Sequence, residues 1–196
     1  MCPKLLLASN SPRRRDLLFE AGFEFETWAP DVAEKFDVGL TLRELTAFNA
    51  IRKAMAAARA HPKRIVLAAD TLVAIDDHVL GKPNDLSEAA TMLQRLSRQA
   101  HEVCTSVFIC HLVRGRSTSF SEISRVRFRR LSRDEIEHYL ARVNPLDKAG
   151  AYAAQGFGSE IIEKIDGSFS NVVGLPMEKT ASALIQFGIQ PEPETD

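Results

Sequence analysis

Residues Leu5-Leu6-Leu7-Ala8-Ser9-Asn10-Ser11-Pro12-Arg13-Arg14-Arg15 leave few options for local structure. Leu5 to Ala8 reads as a buried strand. Ser11 is a good N-cap, and Pro12 suits the first helical position, where a missing N–H costs nothing. The three arginines then fall in the first helical turn. That end of a helix already carries partial positive charge, so three cations there repel the dipole and one another unless something anionic faces them. A strand, a small-residue loop and a helix N-terminus is also the usual build of a phosphate cradle. Three solvated arginines on a surface helix remain an equal alternative on this segment alone.

The chain has 196 residues, enough for one domain or one domain of two lobes, and 45% of them are apolar, enough for a sizeable core. The net charge of −1 gives no sign of bulk binding to nucleic acid or an anionic membrane. No apolar run approaches the roughly 18 residues that span a bilayer. Met1-Cys2-Pro3-Lys4 and the three leucines after it lack the longer apolar region and cleavage site of a secretory signal. Cys2, Cys104 and Cys110 are odd in number and widely spaced, which disfavours a disulfide framework and favours a reducing cytosol. The histidines show no metal-ligand pairing at helical spacing.

Strands and helices alternate, the pattern of an α/β or α+β fold, with no internal repeat. A helix over 12–21 stops at Gly22, and a strand follows over 23–29. Thr41 with Glu44 forms a capping box that opens a helix to about residue 61. Leu42, Leu45, Phe48, Ile51, Met55 and Ala58 recur at steps of three and four, which predicts its core-facing stripe. An apolar strand over 64–69 ends at Asp70, and 71–75 with 78–80 reads as a hairpin. Asp85 with Glu88 is a second box and Ser132 with Glu135 a third. Between those two helices, 101–111 and 117–128 form a long strand pair across Arg114-Gly115. A late strand lies over 161–165. A last helix follows Gly174-Leu175-Pro176, and the polar tail from residue 190 is expected to fray.

Chemistry-bearing candidates are individually weak. Asp70, placed at the mouth of a buried strand, suits a base or a hard-cation ligand, but also a turn cap. Thr71 follows it directly. Lys82, fixed in Gly81-Lys82-Pro83, suits a phosphate as a point charge. Lys53 lies off the predicted stripe and reads as solvated, and Glu34 has no distinguishing context. Gln155, beside Gly156, can donate and accept at once. Arg125, Arg127 and Arg129 alternate on one strand face, where a solvated or salt-bridged face is favoured over a nucleic-acid stripe.

Taken together, ordered blocks along nearly the whole chain resemble the Maf family of nucleoside triphosphate pyrophosphatases. They are Leu7-Ala8-Ser9-Asn10-Ser11-Pro12-Arg13-Arg14; Ala69-Asp70-Thr71 with Gly81-Lys82-Pro83; Met92-Leu93 to Leu96-Ser97 with His101-Glu102-Val103; and Asp147-Lys148-Ala149-Gly150-Ala151-Tyr152 with Gln155-Gly156, Gly167-Ser168 and Asn171-Val172-Val173-Gly174-Leu175-Pro176. The chain departs from the family at Arg98 and Ser106, where glycine is usual, and at Ala154, where a larger aliphatic is common.

The resemblance implies an α/β fold like that of the inosine-triphosphate pyrophosphatases, a single domain of two lobes around a twisted mixed sheet with a central cleft. It implies hydrolysis of dTTP and UTP to monophosphate and pyrophosphate in a house-cleaning role, with Mg²⁺ or Mn²⁺, by a cytoplasmic homodimer without nucleic-acid or membrane partners. Position by position, it makes Asp70 the catalytic base. Glu34 and Asp70 become metal ligands, and Ser9, Arg13, Arg14, Lys53, Thr71, Lys82 and Gln155 the substrate-binding set. Arg13, Thr71 and Gln155 stand where the branch acting on 7-methylguanosine triphosphate resembles tryptophan, glutamine and glutamate. That branch is the nearest alternative. A non-catalytic nucleotide-binding regulator of cell division is another, as is a nucleic-acid binder resting on the arginine strand.

Overall fold

The computed structural model describes residues 4–36, 39–76 and 78–192; the readings above that fall on 1–3, 77 and 193–196 lie outside them. In chain order the elements are β1 (Leu5–Leu7), α1 (Pro12–Glu20), β2 (Phe25–Thr27), α2 (Leu42–Ala60), β3 (Ile65–Ile75), β4 (His78–Leu80), α3 (Leu86–Leu96), β5 (Ala100–His111), β6 (Arg116–Phe128), α4 (Arg133–Leu140), β7 (Ile162–Asp166), α5 (Phe169–Val173) and α6 (Met177–Gln186). Short 3₁₀ turns cover Ala149–Ala151 and Gly156–Glu160. Among the described residues the sheet has seven strands in the order β2-β1-β3-β5-β6-β7, with β4 paired to β3. It is mixed, as expected: β1 runs parallel to β2 and β3, whereas β4 and β7 pair antiparallel with β3 and β6.

The chain divides into two compact units. The first holds the chain up to Asp70, then Thr105–Glu122 and the residues from Gly174 onward; the second holds Thr71–Cys104 and Ile123–Val173.

In the first unit Leu5 of β1 lies opposite both Phe25 and Ile65. Leu5, Leu6 and Leu7 are all buried, each contributing on the order of 1.5–3 kcal/mol by leaving water. Helix α2 begins at the expected capping box: the Thr41 side chain accepts from Glu44 N–H, and the Glu44 carboxylate accepts from Thr41 N–H. Its inward face differs from the predicted stripe. Leu45, Asn49, Ala50, Ala54, Ala57 and Ala58 are buried, while Phe48 and Ile51 are exposed. The reason is the surface beneath. Ala54, Ala57 and Ala58 meet Leu6, Ala8, Val66 and Ala68, a small-residue seam that phenylalanine would prop apart. That rotation also turns Asn49 and Lys53, one helical turn apart, towards the protein.

Strand β3 does not end at Asp70. It is one eleven-residue strand through Asp70 and Thr71, and its last three residues make the expected hairpin pairing with β4. Pairing with β1 up to Leu67 and with β4 from Val73 flanks the polar pair on both sides, which local sequence cannot register. In the second unit a core of larger side chains, among them Leu93, Leu96, Phe128, Ile136 and Tyr139, joins α3, α4 and the strands. Helix α4 opens at the complete Ser132–Glu135 box. At α3 the Asp85 side chain caps Glu88 N–H, but the Glu88 carboxylate accepts from Asn84 N–H, so the expected box forms one residue out of register. At the other end of the first unit, Glu192 N–H donates to Gly22 C=O at 2.7 Å, so this part of the expected frayed tail is tied down.

Two departures from the family pattern acquire a structural account. Arg98 has φ +63°, a left-handed conformation that favours glycine, and its N–H donates to Arg129 C=O at 3.1 Å. Ser106 is buried in a hydroxyl chain, 2.6 Å from Thr46 Oγ1 on α2 and 2.7 Å from Ser121 Oγ on β6.

Candidate active site

The loop after β1 is organised by Ser9. Its Oγ accepts from Ser11 N–H at 3.1 Å and from Arg14 Nη1 at 3.3 Å. Ser11 therefore occupies the cap position without capping through its own side chain. Arg14 is buried, and its Nε donates to Gly174 C=O at 2.8 Å, which fixes the guanidinium across 160 residues of chain. Arg13 is half-exposed and Arg15 exposed, so one arginine of the three points inward. Burial pushes the Arg14 value down, Asp70 and Glu34 pull it back up, and Arg13 lowers it again. The two carboxylates are thus anionic groups that face Arg14, the buried one of the three arginines.

Those carboxylates meet on Lys53. Its Nζ lies 2.6 Å from Asp70 Oδ1 and 2.7 Å from Glu34 Oε1, with the lysine side chain 14% exposed. The reading of Lys53 as solvated is therefore overturned; the rotation of α2 accounts for it. Asp70 is 2% exposed, so it sits within the strand rather than at an open mouth. Burial pushes its carboxyl up from the usual range. Lys53 opposes that shift, Glu34 adds to it, and Arg14 opposes it.

Two further residues on α2 hold this arrangement, and sequence reading singled out neither. Asn49 accepts from Lys35 N–H at 2.9 Å, donates to Lys35 C=O at 3.1 Å, and donates to Asp70 Oδ2 at 3.2 Å. Arg52 Nη1 donates to Ala33 C=O at 2.8 Å. The loop is pinned on both sides of Glu34. The available signal was the spacing of Asn49, Arg52 and Lys53 at three and four, with Asn49 a polar residue between Phe48 and Ala50.

Ser9, Arg14, Glu34, Lys53 and Asp70 are brought together in the first unit, with Arg13 on the same helix as Arg14. Thr71, Lys82 and Gln155 belong to the second. There Thr71 is half-buried on β3. Lys82 is exposed in the loop after β4, where Gly81 C=O accepts from Gly150 N–H at 3.0 Å. Gln155 is half-buried between the two 3₁₀ turns, and its C=O accepts from Gly158 N–H at 3.3 Å. Arg127 of β6 lies 3.4 Å from Glu163, and Arg129, one residue past the strand's end, 2.6 Å from Glu135, in line with the salt-bridged face favoured from sequence.

Among the described residues no cluster of three or more His, Cys, Asp or Glu side chains is placed to hold a metal alone. The pair Glu34 and Asp70 nevertheless fits a hard cation. Their oxygens converge on one ammonium, and Mg²⁺ is typically held by one or two carboxylates with the remaining positions left to water and substrate phosphates.

A buried and a half-buried carboxylate stand here with an inward arginine and lysine, on an α/β sheet beside a helix N-terminus, a donor set whose chemistry suits phosphate and a hard cation. The chain belongs to the Maf family: residues 4–187 match the Maf-like protein family. It is 44% identical to a dTTP/UTP pyrophosphatase of Bacillus pumilus over 96% of this chain and 98% of that one. It is 45% identical to a dTTP/UTP pyrophosphatase of Symbiobacterium thermophilum over 94% of each. The structure of the Staphylococcus aureus Ham1 protein covers 93% of this chain and 98% of its own, at 15% identity and a TM-score of 0.49.

Proposed function

We infer that this protein is a nucleoside triphosphate pyrophosphatase that hydrolyses dTTP and UTP to the monophosphate and pyrophosphate. The observation that carries the reading is the Lys53 ammonium held between Asp70 and Glu34 at 2.6 and 2.7 Å, in a chain whose relatives bear that activity in their names.

Asp70 accepts the proton of the attacking water. Burial, which raises its carboxyl, makes the ionised form a stronger base. Arg14, Lys53 and Lys82 neutralise the phosphates and the charge that grows on the leaving pyrophosphate. Ser9 orients Arg14, as its 3.3 Å hydrogen bond allows. Glu34 and Asp70 would hold Mg²⁺ or Mn²⁺, which supplies charge neutralisation to the triphosphate when bound.

Base choice falls to Arg13, Thr71 and Gln155. Uracil and thymine are neutral and offer one N–H flanked by two carbonyls. A glutamine amide accepts from that N–H and donates to a carbonyl, whereas a carboxylate would face a carbonyl with like partial charge. Arg13 repels a cationic 7-methylguanine. The homodimer and the cytoplasmic location belong to the same proposal through the family; no helix among the described residues is long and apolar enough to cross a membrane.

The test is turnover of dTTP, UTP and 7-methylguanosine triphosphate side by side. The pyrimidine nucleotides are expected to lead. Arg13→Trp with Thr71→Gln and Gln155→Glu is expected to move preference to the methylated purine. A wild-type preference for the methylated purine would overturn the base assignment and leave the hydrolysis reading standing.

A further inference from the structure

Gln155 follows a short stretch, Tyr152-Ala153-Ala154, that is neither strand nor helix. Such a stretch must find partners for its backbone outside a ladder. The hydroxyl of Tyr139, on α4, supplies them: it accepts from Ala153 N–H at 3.0 Å and donates to Ala153 C=O at 3.4 Å. One phenol thus takes the place of a neighbouring strand. The residue before is held in the same way. Tyr152 OH lies 2.8 Å from His101 Nε2, and the Tyr152 ring packs edge-on against Phe128 with centroids 4.8 Å apart.

All of these residues lie in the second unit. Tyr139 is 1% exposed and Tyr152 6%. A core that needed only the rings would take phenylalanine at both positions, since burying a hydroxyl is costly without a specific partner. Each hydroxyl instead meets a defined group, and both act within three residues of Gln155. Further back, Gly150 bonds to Gly81, and a Cβ at Gly150 would stand 3.1 Å from Val73 Cγ2. The turn is located from one end to the other.

We propose that Tyr139 is a specificity-positioning residue: its hydroxyl sets the backbone at Ala153 and thereby the place from which Gln155 meets the base. This rests on the reading of Gln155 as a base contact. Tyr139 touches no substrate in this account and acts through Gln155 alone.

The experiment measures kcat/KM for UTP and for 7-methylguanosine triphosphate with wild type, Tyr139→Phe and Gln155→Ala. The two nucleotides share the triphosphate, so their ratio reports the base. Loss of fold stability lowers the active fraction equally for both and leaves the ratio unmoved. Tyr139→Phe is expected to reduce the ratio of UTP to 7-methylguanosine triphosphate about tenfold, the scale of one neutral hydrogen bond lost among buried groups. An unchanged ratio in folded Tyr139→Phe, with the ratio collapsed in Gln155→Ala, would overturn the proposal alone. An unchanged ratio in Gln155→Ala would overturn the base reading and the proposal with it. If Tyr139→Phe does not fold, Tyr152→Phe carries the same comparison: a reduced ratio supports the clamp and an unchanged one overturns it.

Discussion

Asn49 donates to Asp70 Oδ2 through the same amide that pairs with both backbone groups of Lys35. Because Lys35 N–H needs an acceptor, the amide oxygen is committed there, and only the NH₂ can face Asp70. One side chain therefore orients the proposed base and fixes the loop bearing Glu34. Asn49→Ala is expected to lower kcat by about 10- to 100-fold and stability by about 1–3 kcal/mol, since it leaves buried groups unpaired. Thr46→Val, on the same helix and equally buried, is the control. It is expected to lose stability with near-normal turnover of the folded fraction, read by steady-state kinetics beside thermal melts.

Phosphate contacts carry no information about the base. Arg14→Ala and Lys82→Ala are each expected to reduce kcat/KM for dTTP, UTP and dCTP by a common factor. A nucleotide panel on each variant checks this. A changed order of preference with the overall rate retained would remove either residue from the phosphates.

Arg98 occupies a left-handed conformation at φ +63°, a backbone geometry that favours glycine. Arg98→Gly relieves backbone strain and loses some of that gain to the freer unfolded chain. The expected result is a net stabilisation of about 0.5–1 kcal/mol, measured by urea unfolding, with activity unchanged.

Burial holds His101 neutral, with its value pushed from 6.5 down to about 4. Between those values the unfolded chain binds a proton that the folded chain refuses. Stability from this group is complete above pH 6.5 and is lost as pH falls towards 4, by on the order of 3 kcal/mol in all. His101→Gln retains a hydrogen-bonding partner for Tyr152 and cannot titrate. Its urea-unfolding profile is expected to be flatter than wild type between pH 4.5 and 6.5.

The parts of the fold that sequence reveals are those with local causes. The Thr41–Glu44 and Ser132–Glu135 boxes start their helices as expected because each is complete within four residues. The face of α2 is misassigned because two offsets of one period both carry apolar residues, and only the alanine-lined seam beneath selects between them. Strand β3 reads as broken because Asp70-Thr71 interrupts an apolar run, while pairing on either side carries it through. Of the site, the arginine-bearing helix start is visible in residues alone. Glu34 and Lys53 are singled out through family likeness, since nothing local distinguishes a loop glutamate or a helical lysine. Asn49 is missed, because an asparagine in mid-helix acquires meaning only from what it touches.

The proposed reaction is cleavage of the α–β anhydride of a pyrimidine nucleoside triphosphate. Phosphorus NMR of a reaction with dTTP and Mg²⁺, run beside Asp70→Asn, measures it directly. The expected products are thymidine monophosphate and pyrophosphate in equal amounts, with turnover falling at least about 10²-fold in the variant. Orthophosphate with thymidine diphosphate, or equal turnover in the two proteins, would contradict it.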